Sequence, residues 1–557
     1  RLGLNAKVDY RINANNKISW FNTLVRLDMF QTRLNSDTIA LNSLVDESYR
    51  SIWQYESIYN STLQGVHSIT SSLVFDWSLG YSIASNHIPD QATFIHEFPV
   101  NLDAQKGAYT RGTPDILGGM SRNWLHNSDK DLSGYVNLTK TTQLLGKSFE
   151  IKLGGMFRNK KRNNFYNAYT LNPQQGAQGN QLYTNINDAL FTFIGTNATP
   201  DLNGNNYSFT EDVLAGYLQG KWNFSPRFEI LGGVRFEGTH QNYKTELGDE
   251  VPARSGTITY TDALPSAQLK YTINRNQSLR FSYYKAIARP QFAELIPDGP
   301  SDYETFKEVG NPTGLNHSVA DNLDLRYEIF PGKGADQILL GVFYKNIQDP
   351  IEYSAVKAGP TSQNLKPINI GTATNYGFEA VFTKYFGAFG ISANYTYTQS
   401  RVTNDSMLYY YRSDQGSITT KYVSETRPLQ GQSNNIANLS LIYKNPKLGL
   451  DAQVALVYTG ERISLVSPYA GLHYWQQPST GLDFSFEKTI VRKLTLYGKM
   501  QNLTNSPTVG SLHIPYDSYL ASSGSRALAL QTDPGSKIIV QKDYIKASFL
   551  FGLRFKL

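Results

Sequence analysis

The chain ends with the sequence Tyr544-Ile-Lys-Ala-Ser-Phe-Leu-Phe-Gly-Leu-Arg-Phe-Lys-Leu557. Every second residue is apolar, and the residues between are polar, charged or glycine, with Leu550 as the exception. The apolar set is Ile545, Ala547, Phe549, Phe551, Leu553, Phe555 and Leu557; the other set is Tyr544, Lys546, Ser548, Gly552, Arg554 and Lys556. Side chains alternate between the two faces of a β-strand, so this segment is predicted to be a strand between an apolar and a polar environment.

The same alternation recurs in earlier parts of the chain. The apolar faces there are Leu73, Phe75, Trp77, Leu79 and Tyr81; Phe149, Ile151, Leu153 and Phe157; and Phe389, Ile391, Ala393, Tyr395 and Tyr397. The opposite faces carry polar or charged residues such as Asp76, Lys152 and Asn394. Each segment has roughly the length that a tilted strand needs to cross a bilayer, about ten residues.

Composition supports a membrane protein built from strands. The 557 residues include 13% aromatics and no cysteine, and mean hydropathy is −0.39. The longest apolar runs, residues 338–344 and 549–553, are too short for a membrane helix of about 20 residues. Membrane-spanning strands must close into a barrel, because an open edge would leave backbone groups without hydrogen bonds. The net charge of +6 is not gathered in a basic tract, so no nucleic-acid partner is predicted.

The connections between the predicted strands alternate between short and long. We predict about 19 strands. The short turns are residues 13–16, 69–71, 144–147, 225–227, 274–276, 331–335, 386–388, 445–447 and 491–493. The long connections, expected to be loops without regular structure, are residues 29–48, 87–131, 163–210, 242–257, 290–319, 349–366, 403–431, 463–472 and 505–542. This pattern is typical of an outer-membrane barrel with short periplasmic turns and long extracellular loops.

Several segments resemble the TonB-dependent receptors, in particular the large group found in Bacteroidota. These segments are Asp212-Val-Leu-Ala-Gly-Tyr-Leu-Gln219, Leu231-Gly-Gly-Val-Arg-Phe-Glu237, Leu264-Pro-Ser-Ala-Gln-Leu-Lys-Tyr271, Leu279-Arg-Phe-Ser-Tyr-Tyr-Lys-Ala-Ile-Ala-Arg-Pro290, Gly310-Asn-Pro-Thr313, Ala320-Asp-Asn-Leu-Asp-Leu-Arg-Tyr-Glu328, Gly341-Val-Phe-Tyr-Lys-Asn-Ile347, Asn375-Tyr-Gly-Phe-Glu379 and Gln501-Asn-Leu-Thr-Asn505. Each block alone is common, but their order and spacing over residues 210–557 are specific.

The resemblance implies an all-β fold, a large antiparallel transmembrane β-barrel of 22 strands with an N-terminal plug domain inside. About 19 strands in residues 1–557 then imply that roughly three strands and the plug precede Arg1. The implied function is energy-coupled import of a large or scarce substrate (a glycan, a peptide or a metal chelate) across the outer membrane of a Gram-negative bacterium. The alternatives are a structural barrel in a larger outer-membrane complex and a passive pore.

The implied partners are TonB with its inner-membrane motor, outer-membrane lipid and lipopolysaccharide, the barrel-assembly machinery and a surface lipoprotein. The C-terminus resembles the signal that this machinery recognises, with Gly552, Phe555 and Leu557 in its positions. We find no catalytic set, cofactor motif or metal-binding motif, so the chain is not expected to be an enzyme.

Charged residues on the polar faces are the candidates for a functional site. A charge facing lipid at the bilayer midplane costs about 2–4 kcal/mol, so these side chains are predicted to face the lumen. The candidates are Arg158, Arg235, Glu237, Arg289 and Arg554. These residues either contact a plug or a passing substrate, or pair with one another as part of the lumen wall. For any single residue we favour the pairing within the wall. The aromatic cluster of Tyr469, Tyr474 and Trp475 fits sugar stacking or an interfacial girdle, and we favour the girdle.

Overall fold

The computed structural model describes the whole chain except residues 40–43, 104–107, 112–115, 174–190, 195–203, 298–306, 333, 358–362, 413–417, 514–536 and 557. The described residues form strands almost throughout, with one α-helical turn, α1 (Phe292–Leu295), and one 3-10 turn, Pro252–Arg254. In this part of the chain, no helix is long and apolar enough to cross a membrane.

The strands follow one another in chain order. The first fifteen are β1 (Leu2–Asn13), β2 (Asn16–Ile39), β3 (Leu44–Thr70), β4 (Leu73–Asp103), β5 (Ala108–Arg111), β6 (Ile116–Leu144), β7 (Lys147–Pro173), β8 (Phe191–Ile194), β9 (Tyr207–Trp222), β10 (Phe228–Thr245), β11 (Ser255–Asn274), β12 (Gln277–Ala288), β13 (Lys307–Glu308), β14 (Ser318–Ile329) and β15 (Gln337–Gln348). The others are β16 (Ile351–Lys357), β17 (Gln363–Asn369), β18 (Thr372–Phe386), β19 (Phe389–Arg412), β20 (Ile418–Arg427), β21 (Asn435–Asn445), β22 (Leu450–Thr459), β23 (Arg462–Leu465), β24 (Tyr474–Gln476), β25 (Ser479–Val491), β26 (Leu494–Gln501), β27 (Thr508–His513), β28 (Lys537–Asp543) and β29 (Ser548–Phe555).

One large antiparallel sheet dominates the fold. Its main strands pair with their neighbours along the chain, in the order β1, β2, β3, β4, β6, β7, β9, β10, β11, β12, β14, β15, β18, β19, β21, β22, β25, β26 and β29. Three short strands, β5, β8 and β20, pair with the extended ends of β4, β7 and β19. The main strands described therefore number nineteen, which confirms the prediction.

The short turns lie where the sequence predicts them. The turn between β6 and β7 is the tightest kind, with Leu145 and Gly146 both at positive φ, 51° and 72°. A two-residue turn with this backbone matches the right-handed twist of the strands it joins. Gly387, between β18 and β19, also has a positive φ of 63°. These turns share one end of the sheet because each joins a strand that runs toward that end to the antiparallel strand that runs away from it.

The long connections differ from the prediction. Residues 29–48 were expected to form a loop, but β2 and β3 stay paired as far as Ile39 and Leu44. Likewise β4, β6 and β7 extend far into the segments predicted as loops 87–131 and 163–210. The reason is physical: above the membrane both faces of a hairpin meet water, so the apolar alternation ends while the backbone pairing continues.

Four of the other long connections carry two small sheets. One contains β13, β17 and β16, and the other contains β23, β24, β27 and β28. A parallel bridge between Ser354 and Val466 joins them. Two residues before Ser354, Glu352 forms a buried ion pair with Arg427 at 2.7 Å, with side chains 5% and 3% exposed. Connections from separate hairpins are therefore fastened to one another above the wall.

Register separates the two faces of the large sheet. One outward row of directly paired residues is Leu269, Phe281, Leu325, Val342, Phe378 and Tyr397. The adjacent inward row is Lys270, Arg280, Arg326, Gly341, Glu379 and Thr396. A wholly apolar row beside a charged one requires lipid on one side and a polar interior on the other.

The sheet curves round on itself. Arg33, on the second strand, lies 3.9 Å from Asp543, which ends β28 just before the last main strand. Within the described residues, no backbone pairing joins β1 to β29. The architecture is the all-β, antiparallel barrel that the sequence predicts, with its outward face apolar.

The two faces can be tested with adjacent residues. Phe281→Arg places a charge in the outward apolar row and is expected to destabilise the folded barrel by about 2–4 kcal/mol. Ser282→Arg is the matched control; it puts the same side chain on the polar inner wall and should cost less than about 1 kcal/mol. Urea unfolding in lipid vesicles, followed by the heat-modifiable mobility of the folded barrel on gels, measures both. Equal losses would contradict the assignment of faces.

Candidate functional site

A cluster of buried polar residues lies on the inner face of β10, below the connection from β12 to β14. Glu237, only 6% exposed, lies at its centre. Arg235 donates from its Nε to Glu237 Oε2 at 2.7 Å, and Arg289 pairs with the other carboxylate oxygen. Arg289 Nε also donates to the hydroxyl of Thr239 at 3.1 Å. One carboxylate thus holds two guanidinium groups, one from the wall and one from the start of the connection.

The next residues along the wall extend this network. Gln241 Nε2 donates to Glu211 Oε2 at 2.8 Å and to the carbonyl oxygen of Pro290 at 3.3 Å. Gln241 and Glu211 are 1% and 7% exposed. Because Pro290 follows Arg289, the connection is fastened to the wall at two successive residues.

The connection then folds onto the wall through α1. The Gln291 side chain and the Glu294 side chain cap the helical turn reciprocally. Phe292 stacks on Phe209 of β9 with ring centroids 4.0 Å apart, and Lys160 Nζ lies 4.4 Å from the centroid of the Phe292 ring. Leu295 is 1% exposed in the same apolar cluster. Apolar contacts therefore reinforce the polar fastening, and α1 covers the inner wall.

Paired charges continue on the inner face of β6 and β7. Arg158 binds Asp131 at 2.6 Å. Arg162 binds Asp129 at 2.6 Å, and Lys160 lies 3.5 Å from the same carboxylate. These pairs give the wall a nearly neutral surface of alternating charge.

Two buried acceptors of the cluster are unsatisfied. Tyr260 stacks on His317 at 3.8 Å, and His317 Nε2 lies 3.0 Å from Asp262 Oδ1. Asp262 Oδ2 and Gln241 Oε1 are buried and have no hydrogen-bond partner among the described residues. A buried acceptor without a partner costs free energy. Both atoms lie buried in the wall and are not open to a solute in this structure.

Farther round the wall, a polar depression of about 300 Å³ lies on the inner face of β11, β12, β14, β15 and β18. Its charged lining is Arg280, Asp324, Arg326 and Glu379. Arg280 binds Glu328 at 2.9 Å, and Arg326 lies 3.8 Å from Glu379. The depression therefore presents charges of both signs to the lumen.

Three of the five predicted lumen residues meet in the cluster: Arg235, Glu237 and Arg289. Arg158 lies on the neighbouring inner face, whereas Arg554 is remote and forms an exposed pair with Glu487 at 3.1 Å. All five are ion-paired, in agreement with the paired wall; roles in substrate or plug contact stay predictions.

Sequence reasoning missed other members of the cluster, notably Glu211, Gln241 and Asp262. Strict alternation from the lipid-facing Leu218 and Leu214 along β9 would have placed Glu211 on the inner face.

The other predicted residues lie elsewhere. Gly552 lies against the ring of Tyr497 on the neighbouring strand, where an added Cβ would come within 2.4 Å of the ring. Packing against Tyr497 therefore favours a glycine here, and its part in the assembly signal stays a prediction. Phe555 faces outward and is 61% exposed, and Leu557 lies outside the described residues. Trp475 lies in the small sheet of β24 and stacks on His513 at 4.7 Å. The girdle interpretation is wrong for Trp475, because this sheet is not part of the barrel wall.

Comparison with known proteins gives a family match. A family model described as "TonB dependent receptor-like, beta-barrel" matches residues 5–503. The siderophore receptor PiuA from Acinetobacter baumannii has a similar structure, with a TM-score of 0.52 and 11% identity over 99% of this chain and 81% of that one. The structure of the FpvAI–pyocin S2 complex is also similar. Its TM-score is 0.50 and its sequence identity 12%, over 99% of this chain and 72% of that one. At these identities the structural likeness concerns the fold alone. No curated protein matches the chain.

The fastening of the β12–β14 connection can be tested by removing one charge. Glu237→Gln leaves Arg235 and Arg289 without a carboxylate. It should destabilise the segment that covers the inner wall, residues 289–297, by about 1–3 kcal/mol. Amide hydrogen exchange over residues 289–297 should speed up accordingly. Glu487→Gln, which breaks the exposed pair with Arg554, is the control and should cost about 0–1 kcal/mol. Unchanged exchange in Glu237→Gln would contradict the fastening.

Proposed function

Because the chain belongs to the TonB-dependent receptor family through its β-barrel, we propose that it imports a polar solute too large for a porin. The barrel lies in the outer membrane of a Gram-negative bacterium, and proteins of this family work with TonB. The membership of the Bacteroidota group stays a prediction from the sequence blocks.

The observation that carries the proposal is the inner wall beneath the long connections. It combines paired charges with the polar depression lined by Arg280, Asp324 and Glu379, and α1 covers part of the wall. A wall of this chemistry offers a solute many weak polar contacts in place of one strong site. Binding that is favourable but divided among many contacts lets a solute both enter and leave.

The proposed mechanism is binding followed by an energised opening. The solute binds at the long connections and at the upper side of a plug in the lumen. TonB, driven by the inner-membrane motor, then pulls on the plug and frees a path along the inner wall. The protein contributes binding and positioning, with no covalent chemistry and no cofactor.

The proposed substrate class is a glycan, a peptide or a metal chelate rich in hydrogen-bond donors. Donor groups would pair with the carboxylates of Asp324 and Glu379, which line the depression on the inner wall. Because charges of both signs surround Arg280 and Glu379, this surface does not favour a substrate of either positive or negative net charge. The barrel-assembly machinery and a surface lipoprotein are proposed as further partners.

Uptake with and without TonB tests the function. Cells carrying the natural protein are given a labelled oligosaccharide, a labelled decapeptide and a labelled ferric chelate. At least one label should enter, and its uptake should vanish on deleting either the receptor or TonB. Uptake that needs the receptor and persists without TonB would indicate a passive pore. If no uptake depends on the receptor, the structural role in a larger complex replaces transport.

A further inference from the structure

A row of aromatic and histidine side chains crosses the outward face of β3, β4, β6 and β7 near their long connections. Its directly paired members are Tyr55, His87, His126 and Phe165. On β7, Phe165 follows Phe157 of the apolar face by eight residues, about 26 Å along the strand at roughly 3.3 Å per residue. The row therefore lies above the hydrocarbon layer, on the side opposite the short turns, which is the extracellular side.

Two histidines of this row lie close enough to hold one ligand together. The Nδ1 atoms of His87 on β4 and His126 on β6 are 3.1 Å apart, with the ring planes at 69°. His126 is exposed and His87 is half-buried. Among the described residues, neither ring forms an ion pair. At this distance two neutral rings share one N–H···N hydrogen bond. A metal ion can replace the shared hydrogen, which the donating ring then carries on Nε2.

The separation of the two nitrogens fits neighbouring ligands of one transition-metal ion. Imidazole nitrogens lie about 2.0–2.1 Å from such an ion, so two of them are about 2.9 Å apart at a right angle and about 3.4 Å apart at the tetrahedral angle. The distance of 3.1 Å between the Nδ1 atoms lies within this range. Only a rotation of the rings is needed to point both lone pairs at one ion.

The backbone beside His87 is irregular in a way that fixes the position of this side chain. Between Ile88 and Gln91 the register of β4 against β6 shifts by one residue, and Pro89 lies within the shift. A bulge tolerates the missing N–H of proline and re-aims the side chains next to it. On the other side Tyr55 stacks on His87 with ring centroids 6.2 Å apart. The first imidazole is therefore pre-organised between Tyr55 and His126.

The pair borders an aromatic groove of about 450 Å³, whose lining includes Trp124, Phe165 and Tyr169. Trp124 and Tyr169 pack edge to face with centroids 5.4 Å apart, which makes this wall rigid. In the described part of the chain, no group of three or more His, Cys, Asp or Glu side chains is placed to hold a metal ion. Water must then fill the other coordination positions, so the site is open and its ion exchanges with solution.

We propose that His87 and His126 bind one divalent transition-metal ion on the extracellular part of the barrel wall. Neutral imidazole suits copper, nickel and zinc, whereas calcium and magnesium take oxygen ligands. Copper(II) should bind most tightly, because divalent ions follow that order at a given site. The ion joins β4 to β6 on the outward face, away from the lumen, so the proposal does not rest on the proposed function.

Copper binding to the purified barrel in detergent tests the site. Protein prepared without a histidine tag is titrated with Cu²⁺ by calorimetry, and the bound copper is examined by electron paramagnetic resonance. The unchanged chain should bind one ion whose spectrum shows coupling to two nitrogens. His87→Gln and His126→Gln should each bind Cu²⁺ about tenfold more weakly or worse, because each removes one of the two metal–nitrogen bonds.

His240→Gln is the matched control. His240 is an exposed histidine of the same outward face, its Nδ1 lies 2.9 Å from the Thr259 hydroxyl, and its directly paired residues are Asp212 and Thr259. This variant should bind Cu²⁺ like the unchanged chain, and excess Ca²⁺ should leave the copper in place. Equal copper affinity of His126→Gln and His240→Gln would overturn the proposal, as would displacement of the copper by Ca²⁺. Heat-modifiable mobility on gels confirms that each variant is folded.

Discussion

Hydrocarbon offers no partner to a backbone amide or carbonyl, and the rest of this structure depends on that constraint. Every strand in the membrane must satisfy its backbone by pairing with neighbouring strands. Antiparallel pairing between strands adjacent in the chain is the simplest solution, and it needs a turn of only a few residues at one end. The positive φ angles of Leu145 and Gly146 show how tight such a turn can be. Register then follows, because a slip by one residue would turn Lys270 or Arg280 toward lipid.

The same register separates two kinds of chemistry within a wall one strand thick. Outward residues such as Phe281 and Val342 meet lipid, while their neighbours Ser282 and Gly341 line the interior. Charges of the interior are neutralised in place, as with Glu237 between Arg235 and Arg289. Because Arg289 begins the β12–β14 connection, this neutralisation also fixes a covering segment. Stability of the wall and the shape of the lumen thus share one group of residues.

The sequence predicts the membrane part of the fold well and the part above it poorly. Within the bilayer, one face must be apolar, so alternation such as Phe549, Phe551 and Leu553 identifies a strand. Above the bilayer, β2 and β3 remain paired although both faces are polar, and no periodic signal marks them. For the site, alternation places Arg235 and Glu237 on the inner face. It does not show that Arg289, some fifty residues later, reaches the same carboxylate, since side-chain pairing between distant segments leaves no local pattern.

The bridge between Ser354 and Val466 limits how the long connections of this protein can be replaced. It joins two small sheets to which four separate hairpins contribute strands. A replacement of one connection alone removes hydrogen-bond partners from the others. Recognition of a new solute is then acquired most readily by exchanging the four connections as a unit. These four connections would therefore have to be grafted as a single module.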